Sequence, residues 1–364
     1  MWRLWRVLVL PHLLLVSGCF EKGVDYHGPA PPGVDSYVST GSAEQCQERC
    51  QQTDECNYFT WDPNWNTACW MKKSQGTLNR DKPHLVSGPR ECPAATTTTT
   101  RRPGEKSSKK GLSVALYPEG YFRCEDLKEF TGISWYYNWG VFDPKKDPKC
   151  AGLDIPSGFV PMIWGQLPLW LPNLDDYDTV LGFNVWFNEP NHAGQSNMRP
   201  DHAARAWKQL EAVYPNHTLV GPAAAPGGQW AGGRAEEWFD AFFRECDKLG
   251  GCRMEYIATH LYTGAPDYDK RFLTNLYNKY GKKIWFTEFV KPSTRDWREE
   301  RSYMEEMLPW LENSEAIWRY SWFVHRWPKA AGSWKEGWYL DKAISLMKDN
   351  SSALTELGRF YNNF

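Results

Sequence analysis

From residue 112 to the C-terminus, short apolar runs rich in β-branched and aromatic residues recur between stretches of helical period. Eight of them read as strands: 112–116, 132–138, 158–164, 180–188, 219–222, 256–262, 283–289 and 318–324. Between them, 201–214 lines up Ala203, Ala206, Trp207 and Leu210 on one face after a Pro200-Asp201 start. The segment 236–249 turns Trp238, Phe239, Phe242 and Cys246 inward and stops at Gly250-Gly251, and 269–280 stops at Gly281. A further helix, 304–311, contains Pro309, which is expected to kink it or to start it. Alternating strands and helices imply an α/β fold with parallel strands. Eight units over 112–364 are close to the ~250 residues of a (β/α)8 TIM barrel, the fold expected here.

The first 111 residues follow a different pattern. Residues 1–18 read as a signal peptide: Arg3 and Arg6 precede an apolar run over 7–16, and Val16 and Gly18 suit cleavage before Cys19. That run is too short to span a bilayer and no later one is long enough, so a secreted, extracellular protein with no membrane span is expected. Val16-Ser17-Gly18-Cys19 also fits a bacterial lipoprotein site, which would lipidate Cys19. Residues 19–92 form a short cysteine-dense domain, too small for a deep core without staples. Residues 93–111 lack apolar periodicity; the run 96–100 is all Thr and a basic cluster follows, so a glycosylated, solvated, protease-sensitive linker is expected.

The ten cysteines divide six and four between the domains, an even number in each. Cys19, Cys46, Cys50, Cys56, Cys69 and Cys92 precede the linker; Cys124, Cys150, Cys246 and Cys252 follow it. Internal pairing on both sides favours disulfides over lipidation, which would leave one thiol free. Asn216 and Asn350 begin sequons and are candidate glycosylation sites.

A net charge of −2 excludes a nucleic-acid binder that works by overall positive charge. Aromatic residues reach 15%, with 21 Trp. Rings with flat apolar faces and polar edges suit sugars, although most of them must fill the core.

In a parallel barrel the working residues stand at the C-terminal ends of strands. Glu189 closes the fourth expected strand and Glu288 the seventh, across the mouth from each other. Two facing carboxylates suit glycoside hydrolysis: one protonates the leaving oxygen, the other attacks the anomeric carbon or directs water to it. Asn188 could hold a sugar hydroxyl or orient a carboxylate. His260 and Tyr262 point the same way from the sixth strand, and the Tyr262 hydroxyl could donate to Glu288 and keep it ionised. Trp322, Trp139 and Trp164 are candidate sugar platforms. The eight histidines are scattered, and no metal, phosphate-loop or serine-hydrolase motif occurs, so neither metal nor cofactor is expected.

Two stretches resemble known families. Cys19-Phe20-Glu21-Lys22-Gly23-Val24-Asp25-Tyr26-His27-Gly28, Cys46-Gln47-Glu48-Arg49-Cys50, Cys56-Asn57-Tyr58-Phe59-Thr60-Trp61 and Cys69-Trp70-Met71-Lys72, closing at Cys92, resemble a PAN/apple domain. That likeness implies bridges Cys19–Cys92, Cys46–Cys69 and Cys50–Cys56, a helix over a small antiparallel sheet, and a protein or carbohydrate ligand. Ser134-Trp135-Tyr136-Tyr137-Asn138-Trp139, Phe159-Val160-Pro161-Met162-Ile163-Trp164-Gly165, Asn188-Glu189-Pro190-Asn191 and Trp285-Phe286-Thr287-Glu288-Phe289 resemble glycoside hydrolase family 128. This second likeness implies a retaining enzyme that cleaves β-1,3-glucan internally, with Glu189 as acid/base and Glu288 as nucleophile. It also implies that Asn188, His260, Tyr262 and Trp322 contact sugar or the nucleophile; Asn138, Trp139 and Trp164, inside the matching motifs, are further expected substrate contacts. One departure stands out: Val185-Trp186-Phe187-Asn188 separates Leu181-Gly182-Phe183-Asn184 from Glu189, where the family runs straight on. Such an insertion is expected to bulge the strand and displace Glu189. The alternatives are therefore a β-glucan-binding lectin on a weakened hydrolase barrel, or a matrix adhesion protein.

Overall fold

A computed structural model describes residues 20–34, 37–79, 81–91, 106–116, 121–155, 158–163, 171–182, 188–227, 234–330 and 337–364. The chain forms two compact units, Met1–Thr100 and Arg101–Phe364.

In the first unit, helix Ala43–Gln51 starts at Ser42, whose side chain accepts from the Gln45 amide. It packs on a five-stranded antiparallel sheet centred on Tyr58–Asp62, with Ala68–Lys72 to one side and Val86–Pro89 to the other. The core is thin: Ala43, Phe59 and Met71 with the cysteines. Cys46–Cys69 ties the helix to the sheet and Cys50–Cys56 closes its end, as the PAN likeness implies. Cys19, Cys92 and the expected signal peptide lie outside the described residues.

The second unit is built on seven parallel strands. Across the sheet they run Thr179–Leu181, Thr218–Ala224, Tyr256–Leu261, Ile284–Phe289, Ile317–Trp322, Lys110–Ser113 and Trp135–Tyr137. The stretch 158–163 bridges both end strands, Phe159 to Tyr136 and Met162 to Leu181, each in parallel. This curled arrangement is consistent with a (β/α)8-like barrel. Successive residues alternate sides. Trp135, Tyr137, Met162, Leu181, Val220, Ala258 and Trp285 form one inner cluster. Tyr136, Val180, Leu219, Ile257 and Phe286 join a second core shared with the helices. Cys124–Cys150 and Cys246–Cys252 complete four bridges among the described residues.

Helices Pro200–Val213, Ala235–Lys248 and Pro266–Tyr280 follow the expected periodic stretches. The next departs from expectation: it runs Trp297–Asn313, capped by Asp296, so Pro309 lies inside it and does not start it. Its buried Tyr303, Met304, Met307, Leu308 and Leu311 continue past the proline, and that packing outweighs one lost backbone hydrogen bond. No helix among the described residues is long and apolar enough to cross a membrane.

The expected solvated linker also needs correction at its C-terminal end. Lys110 is fully buried and begins a strand. Its Nζ donates to the carbonyls of Tyr361 and Asn362 at 2.6 and 3.2 Å, while Lys109 Nζ donates to those of Leu311 and Ser314 at 3.3 and 2.9 Å. Both ammonium groups meet the carbonyl end of a helix, where the backbone dipole favours a cation. Residues 93–105 lie outside the described residues.

After the last strand, Arg326 is buried against Asp126 at 2.5 Å and donates to the carbonyls of Lys348 and Asp349. Burial pushes the Asp126 carboxyl up, but the adjacent His325 and Arg326 outweigh it and hold it below its ordinary value. Replacing Asp126 with Ala leaves the guanidinium without its counter-charge, and we expect a loss of about 3–5 kcal/mol in urea unfolding at neutral pH. Because the folded carboxyl is held low, the wild-type advantage should vanish only as the pH falls through that lowered value. A loss below ~1 kcal/mol at neutral pH would contradict this role.

Candidate active site

The inner face of the sheet is apolar up to its C-terminal end, where polar groups converge. Ala258 joins the inner cluster, so His260, two residues on, faces inward too. On the neighbouring strand Trp285 is the inner residue, and strict alternation would turn Glu288 outward. The register shows why it does not: Thr259 pairs with Phe286, but His260 pairs with Glu288, so Thr287 is an extra residue. This β-bulge reverses the facing of Glu288. The Thr287 carbonyl accepts from the Tyr137 and Ser321 hydroxyls at 3.1 and 2.5 Å, and its own hydroxyl meets His260 Nε2 at 3.1 Å.

Glu288 is buried and densely bonded. Trp139 Nε1 donates to Oε1 at 2.8 Å and the Tyr137 hydroxyl reaches the same oxygen at 3.4 Å. The Tyr262 hydroxyl donates to Oε2. Burial, then the charge of Glu288, raises both phenols well above their ordinary value, so both stay protonated donors.

Glu189 arrives by another route. The backbone of Asn188 bridges to Ala223, and the Glu189 amide donates to the Ala223 carbonyl at 2.8 Å. Glu189 adopts φ 45°, a left-handed conformation that a non-glycine residue holds only under local constraint. Its Oε1 lies 3.1 Å from His260 Nδ1, which is 3.5 Å from Glu288 Oε2. One oxygen of each carboxylate lies within 4.8 Å of the other. Residues 183–187 are outside the described residues, yet Glu189 stands in the site, so the expected displacement does not part it from Glu288. Burial would push the His260 ring down, but the carboxylates of Glu288 and Glu189 outweigh it and raise it above its usual value. Among the described residues this trio alone could hold a metal ion, and its ligand atoms already meet one another.

The other expected contacts divide. Tyr262 and Trp139 are in the site, but Trp139 acts as a hydrogen-bond donor as well as a ring. Asn188 donates to Gln195 Oε1 at 3.4 Å, and its own Oδ1 is buried without a partner among the described residues. Asn138 serves its own loop: Nδ2 donates to the Phe142 carbonyl and Oδ1 accepts from the Gly140 amide, which braces Trp139 between them. Trp164 lies outside the described residues. Trp322 is no sugar platform. It is fully buried, donates to the Ile344 carbonyl at 2.9 Å and packs edge-on against Phe289 in the outer core. The neighbouring residue has the inward direction: Phe323 is half-buried, 5.7 Å from the Trp139 ring and 5.5 Å from Tyr262. Sequence reading also passed over Tyr137 and Trp338. Tyr137 shares the parity of Trp135 and Trp139, a signal that was available. Trp338 is 62% exposed with its ring 6.0 Å from Tyr262; only the fold brings its loop there, through Ser293 bonds to Gly337 and Tyr339.

Two carboxylates and a histidine at the C-terminal end of a curled parallel sheet define a glycosidase-type site. Residues 115–361 match the family described as glycosyl hydrolase catalytic core, and residues 19–92 match the PAN domain. The chain belongs to that glycosyl hydrolase family and carries a PAN domain. It is 26% identical over 262 residues to alkali-sensitive linkage protein 1 of Schizosaccharomyces pombe, covering 70% of this chain and 44% of that protein. The chain thus spans less than half the length of this relative. A GH128 subgroup II endo-β-1,3-glucanase from Pseudomonas viridiflava is 30% identical with TM-score 0.56, covering 71% of this chain and 98% of the other. The enzyme of the same subgroup from Sorangium cellulosum is 27% identical with TM-score 0.54, covering 70% and 97%. A subgroup I endo-β-1,3-glucanase from Amycolatopsis mediterranei, solved with laminarihexaose, is 27% identical with TM-score 0.52, covering 70% and 98%.

Behind the Glu288 strand, Glu300 accepts from the Lys291 amide at 3.0 Å and steadies the loop that follows. Burial pushes its carboxyl up to about 8, so it is largely protonated at neutral pH. An acid raised on folding costs stability as pH climbs from its unfolded value toward its folded one. Glu300→Gln should therefore gain Tm relative to wild type between pH 5 and about 8, then level off. A Tm difference independent of pH would show that Glu300 does not titrate this way.

Proposed function

We propose that the protein is a secreted, endo-acting β-1,3-glucan hydrolase that retains anomeric configuration, with Glu288 as nucleophile and Glu189 as acid/base. The observation that carries this reading is the approach of the two carboxylates, within 4.8 Å at their nearest ligand oxygens. Retaining sites hold carboxyl groups about 5–5.5 Å apart, whereas inverting sites leave about 6.5–9.5 Å for a water. Glu288 attacks the anomeric carbon while Glu189 gives its proton to the leaving oxygen. Glu189 then takes a proton from the water that frees the sugar from Glu288. Donors from Tyr262 and Trp139 hold the nucleophile ionised and fix its direction. A cationic His260 between the carboxylates would favour ionised Glu288 and, later, ionised Glu189. The unpartnered Oδ1 of Asn188 offers an acceptor for a sugar hydroxyl, and Phe323 and Trp338 offer rings for pyranose faces. The likeness to β-1,3-glucanases supports the substrate.

The same proposal extends to the whole chain: signal peptide 1–18, PAN domain 19–92, linker 93–111 and hydrolase domain 112–364. We read that last domain as a full (β/α)8 barrel with 158–163 as the strand closing it, supported by the bridges of Phe159 and Met162. The disulfides support an oxidising, extracellular setting, and Asn216 and Asn350 are exposed as glycosylation requires. The PAN domain would hold the enzyme on a matrix or wall. The lectin reading rests on displacement of Glu189 by the insertion, and the approach of Glu189 to Glu288 weighs against it.

The test is reducing-sugar release from linear β-1,3-glucan, with NMR of the first anomer formed. Wild type should release the β-anomer; Glu288→Gln and Glu189→Gln should each lose on the order of 10³-fold or more. A folded wild type that binds the glucan without cleaving it would replace the hydrolase with a lectin. Tyr262→Phe should lower kcat by about 10²-fold, the scale of removing one donor from a reacting charge, with Tm little changed. An unaltered kcat would remove Tyr262 from the machinery.

A further inference from the structure

The PAN domain carries an aromatic cluster that its own fold does not need. Strand Ala68–Lys72 turns Cys69 and Met71 to the core beneath the helix, and Trp70 and Lys72 to the opposite face. There the Trp70 ring lies 5.0 Å from Tyr37 and 5.7 Å from Trp65, and Tyr37 and Trp65 are 6.0 Å apart. All three pairs are tilted, so the rings make a shallow, angled surface rather than a closed stack. Trp65 is 57% exposed, although burying such a ring is among the largest gains a small core can make.

The fold holds Trp65 outward by construction. It sits in the hairpin between Tyr58–Asp62 and Ala68–Lys72, followed by Asn66 and Thr67, both left-handed at φ 50° and 49°. Asp62 Oδ1 accepts from the amides of Asn64 and Trp65 at 2.8 and 3.2 Å, and Ser39 Oγ donates to the Asn66 carbonyl at 2.9 Å. A turn this braced presents a rigid ring at little entropic cost on binding. Among the described residues, the rim offers Asn66 Nδ2, which donates to the Tyr37 hydroxyl at 3.3 Å, and the Lys72 ammonium, 5.8 Å from the Trp70 centroid.

We propose that Tyr37, Trp65 and Trp70 form a carbohydrate-binding platform that takes a neutral polysaccharide. Pyranose C–H faces lie on the rings, and hydroxyls meet the amide and ammonium groups at the rim. The rings supply most of the surface, which suits C–H faces rather than a charged polymer, and a flat apolar protein contact would not need rings tilted against one another. Joined to a hydrolytic domain, such a platform raises the local concentration of an insoluble substrate. The choice of β-1,3-glucan as first probe rests on the function proposed above; the platform itself does not.

The test is co-sedimentation of the full chain with insoluble β-1,3-glucan, cellulose, chitin and mannan particles, comparing wild type with Trp65→Ala and Trp70→Ala. Each substitution should weaken retention on the preferred polymer about tenfold or more. Cleavage of a short soluble laminari-oligosaccharide should stay within about twofold of wild type, because only the second platform is lost. Trp65→Tyr should restore most of the retention, which a merely unfolded domain would not. Trp65-dependent retention in a chain that cleaves no glucan would sustain the platform and sink the hydrolase reading. Retention equal to wild type in the folded Trp65→Ala and Trp70→Ala proteins overturns the platform. Trp65-dependent capture of a protein, with no polysaccharide retained, also overturns it.

Discussion

The extra residue Thr287 decides which way Glu288 faces. Were Thr287 taken up in a regular ladder instead of a bulge, the alternation that sends Trp285 into the inner cluster would turn Glu288 into the outer core, against the helices. The bulge leaves a carbonyl outside the ladder, and an unmet buried carbonyl costs about 1–3 kcal/mol. Tyr137 and Ser321 remove that cost, each reaching in from a different strand. The bulge and the carboxylate it orients are thus neighbours, and residues that satisfy the first also order the second. Tyr137 does both, since its hydroxyl lies between the Thr287 carbonyl and Glu288.

Below the site the inner face of the curled sheet is filled by large buried rings. Trp135 and Trp285 meet edge to face at 4.9 Å, and the Arg319 guanidinium lies 4.8 Å from the Trp285 centroid. Such packing leaves little room for the strands to slide, so the bulge register is held from beneath. Around the rim, Asp126 and Arg326 fasten the segment after the last strand to the turn Cys124–Glu129. Lys109 and Lys110 fasten the entry of the first strand to two helix ends. The apolar interior fixes the floor, charged pairs fix the edges, and the loops between them carry the rings.

Where the chemistry follows local pattern, the sequence was readable. All the expected strands have counterparts, from Lys110–Ser113 to Ile317–Trp322, with the third present as bridges at Phe159 and Met162. Glu189, Glu288, His260 and Tyr262 were legible because each ends an apolar run. The failures have physical causes. Trp322 was mistaken for a platform because parity at a strand end cannot be counted without the register; Phe323, one residue on, has the inward direction. The bulge that turns Glu288 inward has no signature in Trp285-Phe286-Thr287-Glu288. Pro309 does not start a helix because the buried face of Trp297–Asn313 runs past it. Lys109 and Lys110 looked solvated because their partners are helix ends about 200 and 250 residues away. Trp338 reaches the site only through a loop contact of the same non-local kind.

The central claim is that Glu288, turned inward by Thr287, forms the covalent bond to sugar. Its most direct test is mass spectrometry after reaction with a 2-deoxy-2-fluoro β-1,3-linked oligosaccharide bearing a good leaving group. The account predicts one glycosyl adduct per chain, on the peptide containing Glu288, absent in Glu288→Gln. An adduct on Glu189, or turnover with inverted product and no adduct, would contradict it.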